Sequence, residues 1–548
     1  MLMTNRILVF LASTLLFLLS FSAYPQVTEV SGVNPETKTI QLALDQEPPQ
    51  LDYMKATDAV SFFITEHLQE GLIRKNARNQ LSPAVALRWE MTGTSVTFWL
   101  RENARWSDGE IITAHDFVYA WRRVVNPATA SQYVSIMYSI KNAEAINNGQ
   151  APLESLGVRA LDDFTLQVEL ESPTGYFLEL MAFLLFYPAR EDFTEAQDGR
   201  FGADVENMLF SGPFILTEWV HGASLRMEKN PMYWNKDSIE INAINIPYIT
   251  QDGAARFNVY KDGKTALEGG LVGLTAEELE GALNERYRLR SVSDGSVFYL
   301  GFNHSDGHIT ANKNFRKAIQ ATFDSVELVN KVLGIASYVP GKSLFPIYMN
   351  GVENKFRQEY IVPEVELNLE RAREYLELAR QELGLETFPP ISFLIDEGST
   401  GPIVSQYFQS FLKQNLGLDI LIDVQTFKLR LQKTDVGDFD LVLAGWSPDY
   451  EDPFTFGELF ASWNVNNDGF YKSDEYDSLV RLVQSTSNQQ IRMDAMGEMQ
   501  DLIIEDVVIL PLYERYITYV QDPRLSGVLF TVTGGSPIFT YARIQEEQ

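Results

Sequence analysis

The sequence predicts an α/β protein of at least two domains, and three observations carry that expectation. Its 548 residues exceed what one hydrophobic core organises. Apolar residues make up 45% and aromatics 12%, the composition of a chain with ample core rather than a disordered one. Between residues 390 and 443 the pattern reads strand, helix, strand, strand, the local grammar of a sheet covered by helices.

Each element of that stretch has its own signal. Residues 390–395 form a short apolar run. Residues 403–416 set Val404, Phe408, Phe411 and Leu412 on one helical face, and Gly417 supplies the C-cap. Residues 419–424 and 439–443 read as strands. The segment that follows, AGWSPDYEDPFTF over 444–456, is not expected to continue as a core strand. Gly445 and Pro448 interrupt a ladder, and Asp449, Glu451 and Asp452 need water, a cation or a ligand. It reads as a binding loop at the carboxyl end of a buried strand, where ligands of α/β sheets sit, with Trp446 and Asp449 at the crevice.

The remaining elements follow in chain order. Residues 39–44 alternate as a strand and run into Pro48-Pro49. A helix starting near Thr57 or Asp58 carries Phe62, Phe63, Ile64 and Leu68 and stops at Gly71. Residues 72–100 read as short strands, with a hairpin turn at Thr92-Gly93-Thr94. Thr113 caps a helix holding Phe117, Val118 and Trp121, and Asp116 completes a capping box. Trp106 and Trp121 read as packing, and Arg122-Arg123 as a solvated helix end. Residues 365–383 form an amphipathic helix with a solvated charged face.

Charge and cysteine usage narrow the function. A formal net charge of -30 repels nucleic-acid phosphates and anionic membranes, so nucleic-acid binding is excluded as an expectation. Arg6, the apolar run 7–19 and the small residues around Ser20, Ser22 and Ala23 have the layout of a signal peptide over 1–23, implying an exported, soluble mature chain. The absence of cysteine excludes disulfides, thiol catalysis and a lipid anchor on an N-terminal cysteine.

The residues 97–123, TFWLRENARWSDGEIITAHDFVYAWRR, closely resemble the signature region of the family 5 extracellular solute-binding proteins, the oligopeptide-binding components of ABC importers. The likeness continues in Asn126-Pro127-Ala128-Thr129-Ala130-Ser131, Ser211-Gly212-Pro213-Phe214, Lys229-Asn230-Pro231-Met232-Tyr233-Trp234-Asn235, Asn314-Phe315-Arg316-Lys317-Ala318-Ile319 and 444–456. The resemblance implies a periplasmic-binding-protein-like two-jaw fold with an additional inserted domain, three lobes and mixed sheets. Lobe I would comprise 31–72, 205–296 and 514–548, lobe II 73–204, and lobe III, the opposite jaw, 297–513. It implies a peptide ligand, a membrane ABC permease with its ATPase subunits as partner, a monomer free in the periplasm, no cofactor and no enzymatic activity.

Site residues also come with the resemblance. In peptide-binding members the Asp of a GWxxDY loop pairs with the ligand's α-amino group, and here that motif is Gly445-Trp446-Ser447-Pro448-Asp449-Tyr450. Main-chain hydrogen bonds to the ligand would come from Gly445, Trp446 and Ser447 and from Thr57, Ala59 and Ser61. Trp446, Tyr450 and Tyr299 would wall the chamber. One departure stands out: members that hold short peptides carry an Arg where this chain has Leu443, and a second basic position falls on Thr434, with Lys428, Arg430 and Lys433 nearby. A disaccharide, a nickel chelate or another non-peptide solute is therefore the alternative cargo. His304, Asp306 and His308 offer ligand types for nickel or zinc, but nothing in their spacing fixes a geometry. An exported hydrolase using acids near Asp449 is the alternative of a different class.

Overall fold

In a computed structural model the described residues are 31–271, 273–396, 400–464 and 466–545. The expected signal peptide lies outside them. Three sheets organise the chain, and we call the regions around them lobes I to III. The first sheet runs in the order Val33–Asn34, Thr39–Leu44, Ala243–Ile249, Ser224–Lys229, Phe214–Val220. Thr39–Leu44 alternates as expected and turns Ile40, Leu42 and Leu44 into the core of lobe I.

Lobe II holds a four-stranded antiparallel sheet ordered Ala86–Thr92, Ser95–Leu100, Thr165–Glu169, Val158–Asp162. Gly93 takes a positive φ in the hairpin turn between the first two strands. The helix Ala114–Val125 packs Phe117, Trp121 and Val124 inward, and its capping box from Thr113 and Asp116 is formed. Trp106 and Trp121 are fully buried and donate to Asp116 and to the Phe186 carbonyl, so both are packing residues. Arg123 departs from the expected solvated end: its guanidinium makes a two-pronged contact with Asp52, at 3.0 and 2.8 Å, stapling lobe II to lobe I.

The third sheet has seven strands. The path is Leu267–Glu268, Ile509–Gln521, Arg290–Phe302, Leu441–Trp446, Ile391–Asp396, Ile420–Gln425, with Val339–Pro340 pairing Ile509–Gln521 off that path. The helix Gly401–Leu416 covers it and ends on Gly417 at positive φ, as expected. The helix expected over 365–383 is shorter, Leu369–Glu382, because Asn368 caps it by accepting from the Glu370 and Arg371 N–H groups.

Two strands, Arg290–Phe302 and Ile509–Gln521, run antiparallel through both ends of the molecule. Val292 and Tyr519 pack in the lobe I core, while Leu300 and Leu510 pack in that of lobe III. Their register slips between Ser293 and Val297, where Gly295 has a positive φ. A Cβ at Gly295 would lie 2.7 Å from Pro448, so glycine lets the crossing strand pass against the 444–456 segment.

Candidate functional site

The strand before the expected binding loop is longer than the sequence suggested. Leu441–Trp446 replaces 439–443 and pairs antiparallel with Arg290–Phe302 through Phe298↔Gly445 and Val297↔Trp446. Gly445 is therefore inside the ladder. Its missing Cβ would sit 2.9 Å from the Phe298 ring, so glycine serves close approach here rather than interruption. On the other side the strand pairs with Ile391–Asp396 only at Phe393↔Leu441 and Leu394↔Val442. Beyond Val442 that edge carries no strand partner among the described residues.

The alternation of the strand sorts its side chains between two cores. Ala444 and Trp446 share a face with their cross-strand neighbours Tyr299 and Val297, and that face joins a core cluster containing much of lobe II. Leu443 points the other way, into the apolar core of lobe III. The departure at position 443 thus concerns internal packing. Thr434 is buried and donates to the Arg430 carbonyl. Lys433 pairs with Asp423 and Asp438, and Arg430 lies 3.4 Å from Asp396. The side chain of Lys428 lies outside the described residues.

After Pro448 the loop is braced from within. The Asp449 N–H donates to Thr455 Oγ1 at 3.1 Å, and Asp452 Oδ1 accepts from the Phe454 N–H. Ser447 and Ser296 hydroxyls meet at 2.8 Å. The Asp449 carboxylate has no hydrogen-bond or ion-pair partner among the described residues. Burial alone pushes its pKa up to about 7, because the ionised form has lost water and gained nothing in exchange. The Trp446 indole N–H is likewise buried without an acceptor among the described residues.

Lobe II closes over this loop. The Tyr176 ring stacks on Tyr450 with centroids 4.4 Å apart and planes 8° from parallel. Lys75 Nζ lies 3.0 Å from Glu451 and 2.5 Å from Glu179, and Asn79 donates to Glu451. Arg492, fully buried on the helix Gln489–Glu505, donates to Asp452 at 2.6 Å and lies over the Tyr176 ring. Lys75→Met is expected to lower the unfolding midpoint, since it leaves Glu451 and Glu179 facing each other without a cation among the described residues. Thermal denaturation measures this; an unchanged midpoint shows that Lys75 does not hold lobe II to this loop.

Other expected site residues fall as follows. Ala59 and Ser61 lie in the first turn of the helix Ala59–Leu68, whose N-cap is Asp58. The Ser61 N–H is taken by the Asp58 carboxylate and Ser61 is fully buried, so that N–H is not free for a ligand. Thr57 and Ala59 are exposed. One turn on, Phe62 packs edge-to-face on Tyr133 and Phe183. Burial first, and then the negative charge of Asp449, raise the pKa of the Tyr133 hydroxyl, so Tyr133 lies near the loop. Tyr299 is buried against Phe460. His304 and His308 do not converge: His304 contacts the Val508 carbonyl and His308 contacts Asp440. Among the described residues no group of three metal-ligating side chains forms.

Sequence reading missed Lys75, Tyr133, Tyr176, Glu458 and Arg492. Only Arg492 carried a local signal, a lone cation on the stripe of Met496, Met499 and Ile503. The signature residues prove to be braces: Arg316 donates to the Thr310, Ala311, Asp506 and Val507 carbonyls, and Tyr233 and Trp234 donate to Glu70 at the junction of lobes I and II.

Comparison with known proteins gives a consistent picture. The model of the bacterial extracellular solute-binding proteins, family 5, matches residues 80–468. The oligopeptide-binding protein OppA of Bacillus subtilis is 30% identical over 502 residues, covering 90% of this chain and 91% of that one. The structure of Listeria monocytogenes OppA bound to peptide superposes with a TM-score of 0.76 at 30% identity, covering 93% of this chain and 99% of that one. The Haemophilus influenzae OppA complex with RPPGFSPFR gives 0.75 at 25% identity, with 93% and 99% covered.

Proposed function

Because the chain belongs to family 5 of the bacterial extracellular solute-binding proteins, we propose that it captures peptides with a free amino end and delivers them to a membrane ABC importer. The observation that carries this reading is Asp449, a partly buried carboxylate without a partner among the described residues, at the seam of two lobes. A peptide's α-ammonium supplies the missing charge, through short charge-assisted hydrogen bonds in a site closed to water. The unpaired edge beyond Val442 accepts an extended main chain as an added strand, and a main chain is common to all peptides. In this reading Gly445, Trp446 and Ser447 make those bonds, Thr57 and Ala59 contribute from the start of the helix Ala59–Leu68, and Tyr299 and Tyr450 are walls.

The relatives' ligands support the same class. The Listeria protein was solved with peptide, and the Haemophilus protein with the nine-residue RPPGFSPFR. The slipped register at Ser293 to Val297, midway along both crossing strands, supports a hinge there, with 31–72, 205–296 and 514–545 moving with 73–204 against 297–513. Release into a periplasm is the reading that a chain without a cysteine for a lipid anchor supports, and no described helix is long and apolar enough to cross a membrane. Binding and transfer, rather than catalysis, is the role of such a site.

Affinity should depend on pH with a definite sign. In the ligand-free protein Asp449 binds a proton below about 7, so capture of an ammonium weakens as pH falls through that value. It weakens again as the ligand's amine loses its proton above about 8. Calorimetry across pH 5.5 to about 9 should therefore give a maximum near neutrality; affinity still rising below pH 6 contradicts the pairing. The functional test is mass spectrometry of whatever the natively purified protein releases on denaturation. Peptides with free amino ends are expected. A disaccharide or a nickel chelate as the retained molecule overturns the peptide reading.

A further inference from the structure

The loop that carries Asp449 holds more negative charge than one ligand ammonium can match. Four acids lie on it or just after it. Glu451 is paired with Lys75 and Asp452 with Arg492. Asp449 and Glu458 have no cation among the described residues. Glu458 accepts one hydrogen bond, from the Tyr450 hydroxyl at 2.7 Å. Burial first, and then the neighbouring charge of Asp449, push its pKa up to about 7, while the Tyr450 hydroxyl opposes the shift. Two carboxylates whose charges oppose each other are held ionised more readily by two positive charges than by one.

A second observation places a ligand here independently of the acids. The Trp446 indole N–H, at the head of the same loop, is buried and has no acceptor among the described residues. A peptide carbonyl satisfies it. Glu458 is held beside the stacked rings of Tyr176 and Tyr450 by the Tyr450 hydroxyl. The nearby bases do not favour an acidic ligand side chain, since Lys433 and Arg430 already face Asp423, Asp438 and Asp396.

We propose that the site prefers peptides bringing a second positive charge beside the amino terminus, a lysine or arginine as first or second residue, with Glu458 as its partner. Asp449 takes the α-ammonium and Glu458 the side-chain cation. The preference rests on the peptide reading above and sharpens it from any peptide to amino-terminally basic ones.

The test is calorimetry at pH 8 with two tetrapeptides differing only in lysine or norleucine at the first position, each also in N-acetylated form. The lysine peptide is expected to bind at least about tenfold more tightly to the parent protein. Glu458→Gln should bring that ratio close to one. Should this variant fail to fold, the parent protein still decides the matter. Its lysine preference should shrink from pH 8 to 6 as Glu458 takes up a proton, and a constant ratio overturns the assignment. Equal affinities for the lysine and norleucine peptides, with acetylation still harmful, overturn the preference while leaving peptide capture intact. Indifference to acetylation instead brings down the amino-pairing role itself.

Discussion

Asp449→Asn should cost about 2 to 5 kcal/mol of affinity for peptides with a free amino end, a loss of roughly thirtyfold to several thousandfold. The same substitution should make the ligand-free protein more stable at pH 7.5. The carboxyl group has a folded pKa near 7 against an ordinary value of 3.8, so the folded state binds the extra proton between these limits. Stability contributed by that proton is present at low pH and lost as pH rises through about 7. Asn removes a buried charge that has no partner among the described residues, for a gain of roughly 1 to 4 kcal/mol. Urea denaturation of both proteins at pH 7.5 and 5 measures the effect, and the gain should fade at the lower pH. A variant that binds as the parent does, or is less stable at both pH values, shows that Asp449 is an ordinary structural acid.

Arg492→Ala should destabilise the protein by about 3 to 5 kcal/mol, the cost of leaving a buried partner charge uncompensated. Asp452 is that partner, and it also accepts from the Phe454 N–H. The guanidinium also fills the space against Gly175, where a Cβ would lie 3.0 Å from Nη1, and lies over Tyr176, so its loss loosens the closure of lobe II. The double variant Arg492→Met, Asp452→Asn removes both charges while keeping volume, and should recover most of the loss. Denaturation midpoints of the two variants test this. Equal destabilisation by both would mean that the charge pair is not what matters at this position.

Much of the fold was legible in the sequence because it is written locally. The alternation of 39–44, the stripe of the helix ending on Gly417 and the box formed by Thr113 and Asp116 all appear where the pattern put them. At Gly445, Arg123 and Leu443 local reading failed because a residue's partner lay elsewhere. Gly445 looks like an interruption until the Phe298 ring is seen over it. Arg123 looks solvated until Asp52, 71 residues away, is placed beside it. Position 443 looks like a lost binding group until the alternation of its strand turns it into the lobe III core.

The site divides in the same way. Asp449 and Trp446 were visible as a polar and aromatic loop after a strand, and the resemblance supplied their role. The opposite wall was not visible. Asn79 meets Glu451 across 372 residues of sequence, and no local pattern marks either as a partner for the other. The resemblance gives the Ser61 main chain a hydrogen bond to the ligand, but in the helix Ala59–Leu68 its N–H is taken by the Asp58 cap. Local capping outcompetes a ligand that is only sometimes present.

The measurement that bears most directly on the whole account compares one peptide with its N-acetylated form by calorimetry at pH 7.5 in the parent protein. Loss of the positive amino group should abolish measurable binding or weaken it by at least about thirtyfold. Equal affinity for the two forms would contradict the pairing at Asp449 and, with it, the reason this loop is held at the seam.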